Sequence, residues 1–220
     1  MSHGMHSDRT AIAAISAVLG PLLMSVGDLM HPPESMDPTV QAAVIIQTAS
    51  HASRWYLSHL LLFFGFLVLV PGILAISRLT AERSPRAGYA ARILTLIGLA
   101  SFAAIVVGEM LIGRYVSDGA DAVATTRLLA TFQSGPILGV VLLGGINLFI
   151  GVGAMAVPLI RAGGTLRWPA MAFVAGAILV AGEIITAQVL LSQIGNVTFL
   201  VGGMLFARHI LPGRQVTDSR

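Results

Sequence analysis

Three carboxylates stand at matching places in a chain that is otherwise strongly apolar. Asp28, Glu109 and Glu183 each follow a glycine, in the segments "SVGDLM", "VVGEML" and "VAGEII". A carboxylate inside an apolar membrane span costs at least about 2.5–3.5 kcal/mol on insertion scales, so it usually faces the bundle interior and has a partner there. Chemistry is one explanation for such a residue, and a purely structural ion pair or hydrogen bond is the other.

A carboxyl group in a low-dielectric pocket keeps its proton near neutral pH, because ionisation would forfeit its solvation. The protonated group can then act as a general acid, and a second carboxyl group nearby strengthens the effect. We therefore expect Glu109, Glu183 and Asp28 to be catalytic residues that converge on one pocket. Protonation of an alkene or an epoxide is a step that such a pocket favours, because it excludes water.

Polar and aromatic residues near the acids are candidates for binding and orienting a substrate. His59 lies one turn beyond Trp55 in the second apolar segment, and Arg54 is close to the same helix face. The predicted substrate-binding residues are His59, Arg54, Asn147, Asn196, Phe63 and Trp55. The predicted apolar lining of the pocket is Phe63, Phe64, Phe66, Phe102 and Phe149.

The histidines leave a metal site open as an alternative. A His/carboxylate set is chemically allowed, although its spacing lacks a helical signature such as HExxH. A haem held by two histidines is disfavoured, because only His59 lies well inside a span. We therefore predict no metal and no cofactor. The candidate ligands of the alternative are His31, His51, His59, Glu109 and Glu183.

The composition indicates an integral membrane protein with a single transmembrane domain, residues 1–220. The chain is 55% hydrophobic and 10% charged, whereas a soluble domain carries about 25% charged residues. Cysteine is absent, which excludes thiol catalysis, disulfides and cysteine-bound metals. The 13 basic residues are all arginines and do not cluster into a patch, so nucleic acid is not expected as a partner.

Six apolar segments are each near or above the ~20 residues that cross a bilayer. Two longer outer loops, 31–53 and 115–134, have the composition of short surface helices. Four aromatic residues are placed as interfacial anchors, namely Trp55, Tyr56, Tyr115 and Trp168. The predicted spans are 10–30, 54–77, 88–114, 135–160, 168–190 and 194–211.

The arginines predict the orientation. Ten of the thirteen fall on the side that holds both termini, and only Arg54, Arg114 and Arg127 fall on the other. The positive-inside rule then places the amino and carboxyl termini in the cytoplasm. We expect a multi-pass protein of the cell inner (plasma) membrane.

The six spans form an all-α bundle that reads as three repeated helical hairpins. Spans one, three and five carry the Gly-acid pairs near their outer ends, and the returning spans end in small residues followed by arginine. Chance similarity in a glycine- and alanine-rich sequence is the alternative. Most of the 24 glycines are explained by close helix packing alone.

The polar groups lie in the outer half of the spans, which favours a one-sided pocket over a pore. We predict an enzyme that acts on a lipophilic substrate, such as an isoprenoid, by cyclisation or isomerisation. The plan is similar to that of small integral-membrane terpene cyclases in its use of intramembrane acids, although those have seven spans and share no motif with this chain. A proton- or cation-coupled transporter, a lipophilic-ligand-binding protein and an accessory subunit are the alternatives. Membrane lipid and a lipophilic small molecule are the expected partners, and nothing in the sequence indicates an oligomeric state.

Overall fold

The computed structural model describes residues 2–32, 38–49, 52–132, 134–186 and 189–211, and these residues contain helices and no strand. Six helices are long and two are short. One short helix lies between the first and second long helices of the chain, and the other lies between the third and fourth. The elements are α1 (Ser2–Met30), α2 (Pro38–Ala49), α3 (Ala52–Arg83), α4 (Pro85–Ser117), α5 (Ala122–Phe132), α6 (Gly135–Ala162), α7 (Arg167–Thr186) and α8 (Val189–Ile210).

Several of the helices are suited to a bilayer. Within the described residues, five segments are both long and apolar enough to cross a membrane, and they lie in α1, α3, α4, α6 and α8. Large apolar side chains on their outer faces remain exposed, as in Leu111 and Ile146, and lipid is the medium that suits such faces. The chain is therefore a helical bundle compatible with a multi-pass membrane protein.

The long helices form a closed ring. Helix α1 packs on α3, α4 on α6 and α7 on α8, which are the pairings that three hairpins require. Contacts of α3 with α4, of α6 with α7, and of α8 with α1 join the hairpins to one another. The carboxyl-terminal end of α1 consequently lies next to α3 on one side and next to α8 on the other.

Small residues allow the paired backbones to approach closely. A Cβ atom added at Gly72 of α3 would lie 2.8 Å from the backbone of Ala17 in α1, and one added at Gly98 of α4 would lie 2.6 Å from Leu148 in α6. The Ser16 hydroxyl also accepts a hydrogen bond from the Gly72 N–H at 3.0 Å, next to the break that Pro71 makes in α3. Packing of small residues, rather than apolar driving force, holds such helices together in lipid.

The two short helices lie against the amino-terminal end of α3 and the carboxyl-terminal end of α4. Helix α2 contacts α5, and both contact α4. The Asp121 carboxylate accepts a hydrogen bond of 2.7 Å from the Ala124 N–H and thereby caps α5. The sequence Asp37-Pro38 predicts a helix cap followed by the first helical residue, and Asp37 lies outside the described residues. A small core joins these parts and consists of Ala42, Ile45, Trp55, Ile112, Val116 and Leu129.

Candidate functional site

The carboxyl-terminal end of α1 carries the residues around which the site is built. Helix α1 ends at Met30, and the N–H of His31 then donates to the carbonyl oxygen of Asp28 at 3.1 Å. The exposed Arg54 of α3 donates to the Met30 carbonyl oxygen at 2.8 Å, which places a cation at the negative end of the α1 dipole. This turn fixes His31 toward α3 and Asp28 toward α8.

His31, just beyond α1, and His59 of α3 face each other through equivalent ring atoms. The Nε2 atoms of His31 and His59 lie 3.2 Å apart. The Nδ1 atom of His31 is 2.8 Å from the Pro32 carbonyl oxygen, and Nδ1 of His59 is 2.7 Å from the Trp55 carbonyl oxygen. A carbonyl oxygen accepts only, so each Nδ1 carries the hydrogen and each neutral ring presents an Nε2 lone pair to the other.

Glu109 of α4 completes this group, which we call the His–Glu cluster (His31, His59 and Glu109). The Oε2 atom of Glu109 lies 3.2 Å from Nε2 of His59, and the Glu109 side chain is 26% exposed. The ligand atoms of the three residues all lie within 4.8 Å of one another. Both histidines are buried, so the carboxylate is the side of the cluster that opens outward.

Trp55 forms the wall of the His–Glu cluster. Its ring centroid is 4.2 Å from that of His59 and 5.7 Å from that of His31. Its Nε1 donates to the Glu109 backbone oxygen at 3.3 Å, which ties α3 to α4 at this level. Trp55 was expected as an interfacial anchor, but it is only 1% exposed, because the short helices cover it.

The electrostatics of the cluster favour a neutral His31. This residue follows the membrane-spanning part of α1, and its burial lowers the pKa of its imidazole. The Glu109 carboxylate opposes the lowering of that pKa, whereas the positive charge of Arg54 adds to it. A neutral imidazole with its Nδ1 hydrogen engaged is the form that offers Nε2 as an electron-pair donor.

The other two acids form a separate group, which we call the carboxylate cluster (Asp28, Glu183, Ser192 and Asn196). The Ser192 hydroxyl lies 3.2 Å and 3.4 Å from the two carboxylate oxygens of Asp28, and the Asn196 side chain also hydrogen-bonds Asp28. Glu183 of α7 is close enough to Asp28 to interact with it electrostatically. The cluster therefore joins α1, α7 and α8, whereas Glu109 contacts the histidines.

The remaining predicted residues divide between these clusters and the rest of the bundle. His59, Arg54, Trp55 and Asn196 all lie in or beside the clusters, as given above. Asn147 instead donates to the Leu143 carbonyl oxygen of its own helix at 2.7 Å. Phe63 packs against the main core and against Phe64. His51, an alternative metal ligand, lies outside the described residues.

The predicted phenylalanine lining does not form one pocket. Phe66 is buried in the main core against Phe102, whereas the side chain of Phe64 is 50% exposed. Phe149 lines an apolar groove of about 300 Å³ between α6 and α7, together with Val174 and Ala181. Val174 and Glu183 are nine residues apart, which places them on opposite faces of α7, so this groove does not open onto the carboxylate cluster.

Two important residues were absent from the set predicted to be functional. His31 was named only as an alternative metal ligand. The "HPP" that follows the Gly-acid segment predicts the end of α1 at this residue, and it was the available signal. Ser192 of α8 contacts Asp28 across 164 residues, and no local pattern predicts a pairing at that distance. This pairing depends on the contact between α1 and α8 that closes the ring, which the sequence does not show.

Comparison with known proteins places the chain in a family without assigning it an activity. The chain matches no curated protein and no solved structure. Residues 5–115, which contain α2, α3, nearly all of α1 and α4, and the whole His–Glu cluster, match the family of unknown function DUF6796. Because that segment is just over half of the 220 residues, the chain belongs to the DUF6796 family.

Proposed function

We propose that the protein crosses the cell inner membrane six times, with both termini in the cytoplasm. Helix α7, with 20 residues, is the sixth span and joins the five that are long and apolar enough. Arginines at the ends of the inner connections support this orientation, since cytoplasmic loops carry the excess of positive charge. The described arginines at those ends include Arg83, Arg86, Arg161, Arg167 and Arg208.

The protein acts, in our proposal, as a membrane-embedded enzyme that uses a carboxylic acid on a lipophilic substrate. The observation that carries the proposal is the pairing of Asp28 with Glu183 between apolar helices, with Asp28 held by Ser192 and Asn196. Neighbouring carboxyl groups between apolar helices cannot both ionise cheaply away from water, so we assign one shared proton to the pair.

The hydrogen bonds of Asp28 support different roles for the two carboxyl groups. Asp28 accepts hydrogen bonds from Ser192 and Asn196, which hold its oxygens in place, so we assign the shared proton to Glu183. Glu183 then holds the shared proton and delivers it to a carbon or oxygen of the substrate, which makes it the general acid. Glu109 is engaged by the histidines, so the role of proton donor passes to Glu183. Cyclisation or isomerisation of an isoprenoid fits a site reached from the lipid.

The test compares the lipids of cells that produce the full-length protein and its variants. We expect an isoprenoid product, detected by liquid chromatography and mass spectrometry of lipid extracts, with the native protein. Glu183→Gln and Asp28→Asn should remove the product. Glu82→Gln, at an exposed acid near the inner end of α3, is the matched control and should keep it. A product of equal yield from all four proteins would rule out acid catalysis by this pair.

Cation transport is a second candidate, because the carboxylate cluster is also a set of oxygen ligands. Carboxylate, hydroxyl and amide oxygens from Asp28, Ser192 and Asn196 suit a hard or organic cation. Proteoliposomes with an imposed pH gradient should then accumulate tetraphenylphosphonium, and Glu183→Gln should abolish the uptake. If the variants lose only thermal stability, with no change in lipids or uptake, the acids have a structural role as in an accessory subunit.

A further inference from the structure

We propose that the His–Glu cluster binds one divalent transition-metal ion, of which Zn²⁺ is the expected occupant, through Nε2 of His31, Nε2 of His59 and a carboxylate oxygen of Glu109. This inference goes beyond the proposed function and shares no residue with it, because the acid chemistry rests on Asp28 and Glu183. It also differs from the sequence prediction, which gave Glu109 a catalytic role and no metal.

The positions of the ring hydrogens favour a bound cation in the cluster. Both Nδ1 hydrogens point at backbone carbonyl oxygens, so two Nε2 lone pairs and an anionic oxygen face one another. A single added proton can join only one pair of these atoms at a time. A dication attracts all three together, and it therefore matches the arrangement better than a proton does.

The distances between the ligand atoms are close to those of a zinc site. A tetrahedral zinc site with bonds of about 2.0–2.1 Å has ligand atoms about 3.3–3.4 Å apart along each edge. The His31–His59 and His59–Glu109 contacts are both 3.2 Å, so two edges already have nearly this length. The ligand atoms of the third pair, His31 and Glu109, also lie within 4.8 Å of each other. Turning of the Glu109 side chain is the adjustment that would bring this edge to the same length.

The contacts of the other ring nitrogens, the Nδ1 atoms, also match those of metal-binding histidines. Histidines that ligate metals typically donate their other ring hydrogen to a carbonyl or carboxylate oxygen, which fixes the tautomer and the ring direction. His31 and His59 both do so. Trp55 covers one side of the rings and keeps water away from it.

The ligand set also indicates the class of metal. Two imidazoles and one carboxylate suit Zn²⁺, Fe²⁺ or Co²⁺, whereas Cu⁺ prefers thiolate or thioether sulfur. Three protein ligands leave a coordination position open, which is the arrangement of catalytic sites rather than of closed structural ones. The partly exposed Glu109 places that open position at the outward side of the cluster, where water or a polar group of a ligand can enter.

The test measures metal binding by the full-length protein in lipid nanodiscs, purified with a tag that contains no histidine. After treatment with a chelator, Co²⁺ should bind at one equivalent per chain with the visible absorption of a tetrahedral site, and Zn²⁺ should displace it. His59→Asn and Glu109→Gln should each weaken binding at least tenfold. His209→Asn, at an exposed histidine near the inner end of α8, is the matched control and should bind as the native protein does.

Two further measurements keep the proposal testable if a variant fails to fold. Zn²⁺ should raise the melting temperature of the native protein and of His209→Asn, because an ion that binds only the folded state stabilises it. X-ray absorption of the zinc-loaded native protein should show two imidazoles at about 2.0–2.1 Å. Substoichiometric zinc, a spectrum with fewer than two imidazoles, or equal binding by folded His59→Asn and His209→Asn would overturn the proposal.

Discussion

The Nε2 atoms of His31 and His59 lie 3.2 Å apart although 28 positions separate the two residues in the chain. Gly27 makes this approach possible, because a Cβ atom there would lie 2.9 Å from the carbonyl oxygen of Ser58, the neighbour of His59. The Gly-acid segment of α1 therefore has two functions. Its glycine brings α1 onto α3, and its acid turns to the other side and meets α8.

Gly113 should be as important for Trp55 as Gly27 is for the histidines. A Cβ atom at Gly113 would overlap the Trp55 indole, which cannot move without leaving His59. We expect Gly113→Ala to destabilise the protein by about 1–3 kcal/mol, as overpacking of a filled core does. Thermal melting of the purified protein in nanodiscs measures this effect as a lower melting temperature.

Gly153→Ala is the control for that substitution. A Cβ atom at Gly153 of α6 meets nothing within 4 Å, so only the helix propensity changes there, in favour of alanine. Its melting temperature should equal or exceed that of the native protein. If both variants melt alike, Trp55 is not confined by Gly113 and the packing described here is mistaken.

The sequence predicted the helical bundle well because the signal for an apolar span is local. The predicted segments 54–77 and 135–160 lie within α3 and α6 with a few residues to spare at one or both ends. Side-chain partners were harder to predict, since they depend on which helices become neighbours. The meeting of His31 with His59 and Glu109, and that of Asp28 with Ser192, require the ring order of the helices, which no local pattern contains.

A cross-link should verify the closure of the ring between α1 and α8. The chain has no cysteine, so a pair can be introduced freely. Asp28→Cys with Ser192→Cys should react with one short bifunctional thiol reagent that bridges both sites, because the native side chains are within 3.2 Å. Intact mass spectrometry distinguishes one bridging reagent from two separate adducts.

The control pair changes only the direction of one side chain. In the pair Val26→Cys with Ser192→Cys, the α1 cysteine replaces a residue that is 40% exposed on the surface of the bundle. This pair should carry two separate adducts. Two separate adducts on the Asp28 pair as well would show that α1 and α8 are not neighbours at this level.

The proposed orientation can be checked with single cysteines at two exposed positions. Ser117, at the carboxyl-terminal end of α4, and Thr165, between α6 and α7, lie at opposite ends of the bundle. A membrane-impermeant maleimide should label Ser117→Cys in intact cells, and Thr165→Cys only after permeabilisation. The reverse pattern would place the termini outside, and equal labelling of both in intact cells would contradict a membrane-spanning arrangement of α4 and α6.

Tryptophan fluorescence offers an independent view of the proposed metal site. The chain has two tryptophans. Trp55 lies beside His31 and His59, whereas Trp168 is 62% exposed at the amino-terminal end of α7. In Trp168→Phe the remaining fluorescence comes from Trp55, and Co²⁺ held by His59, whose ring centroid is 4.2 Å from that of Trp55, should quench it in a saturable way. In Trp55→Phe the remaining fluorescence comes from Trp168 and should not respond.

Adding His59→Asn to Trp168→Phe should abolish the quenching, because the ion then has only one imidazole beside the indole. Quenching of Trp168 to the same extent as Trp55 would mean that Co²⁺ binds elsewhere on the chain.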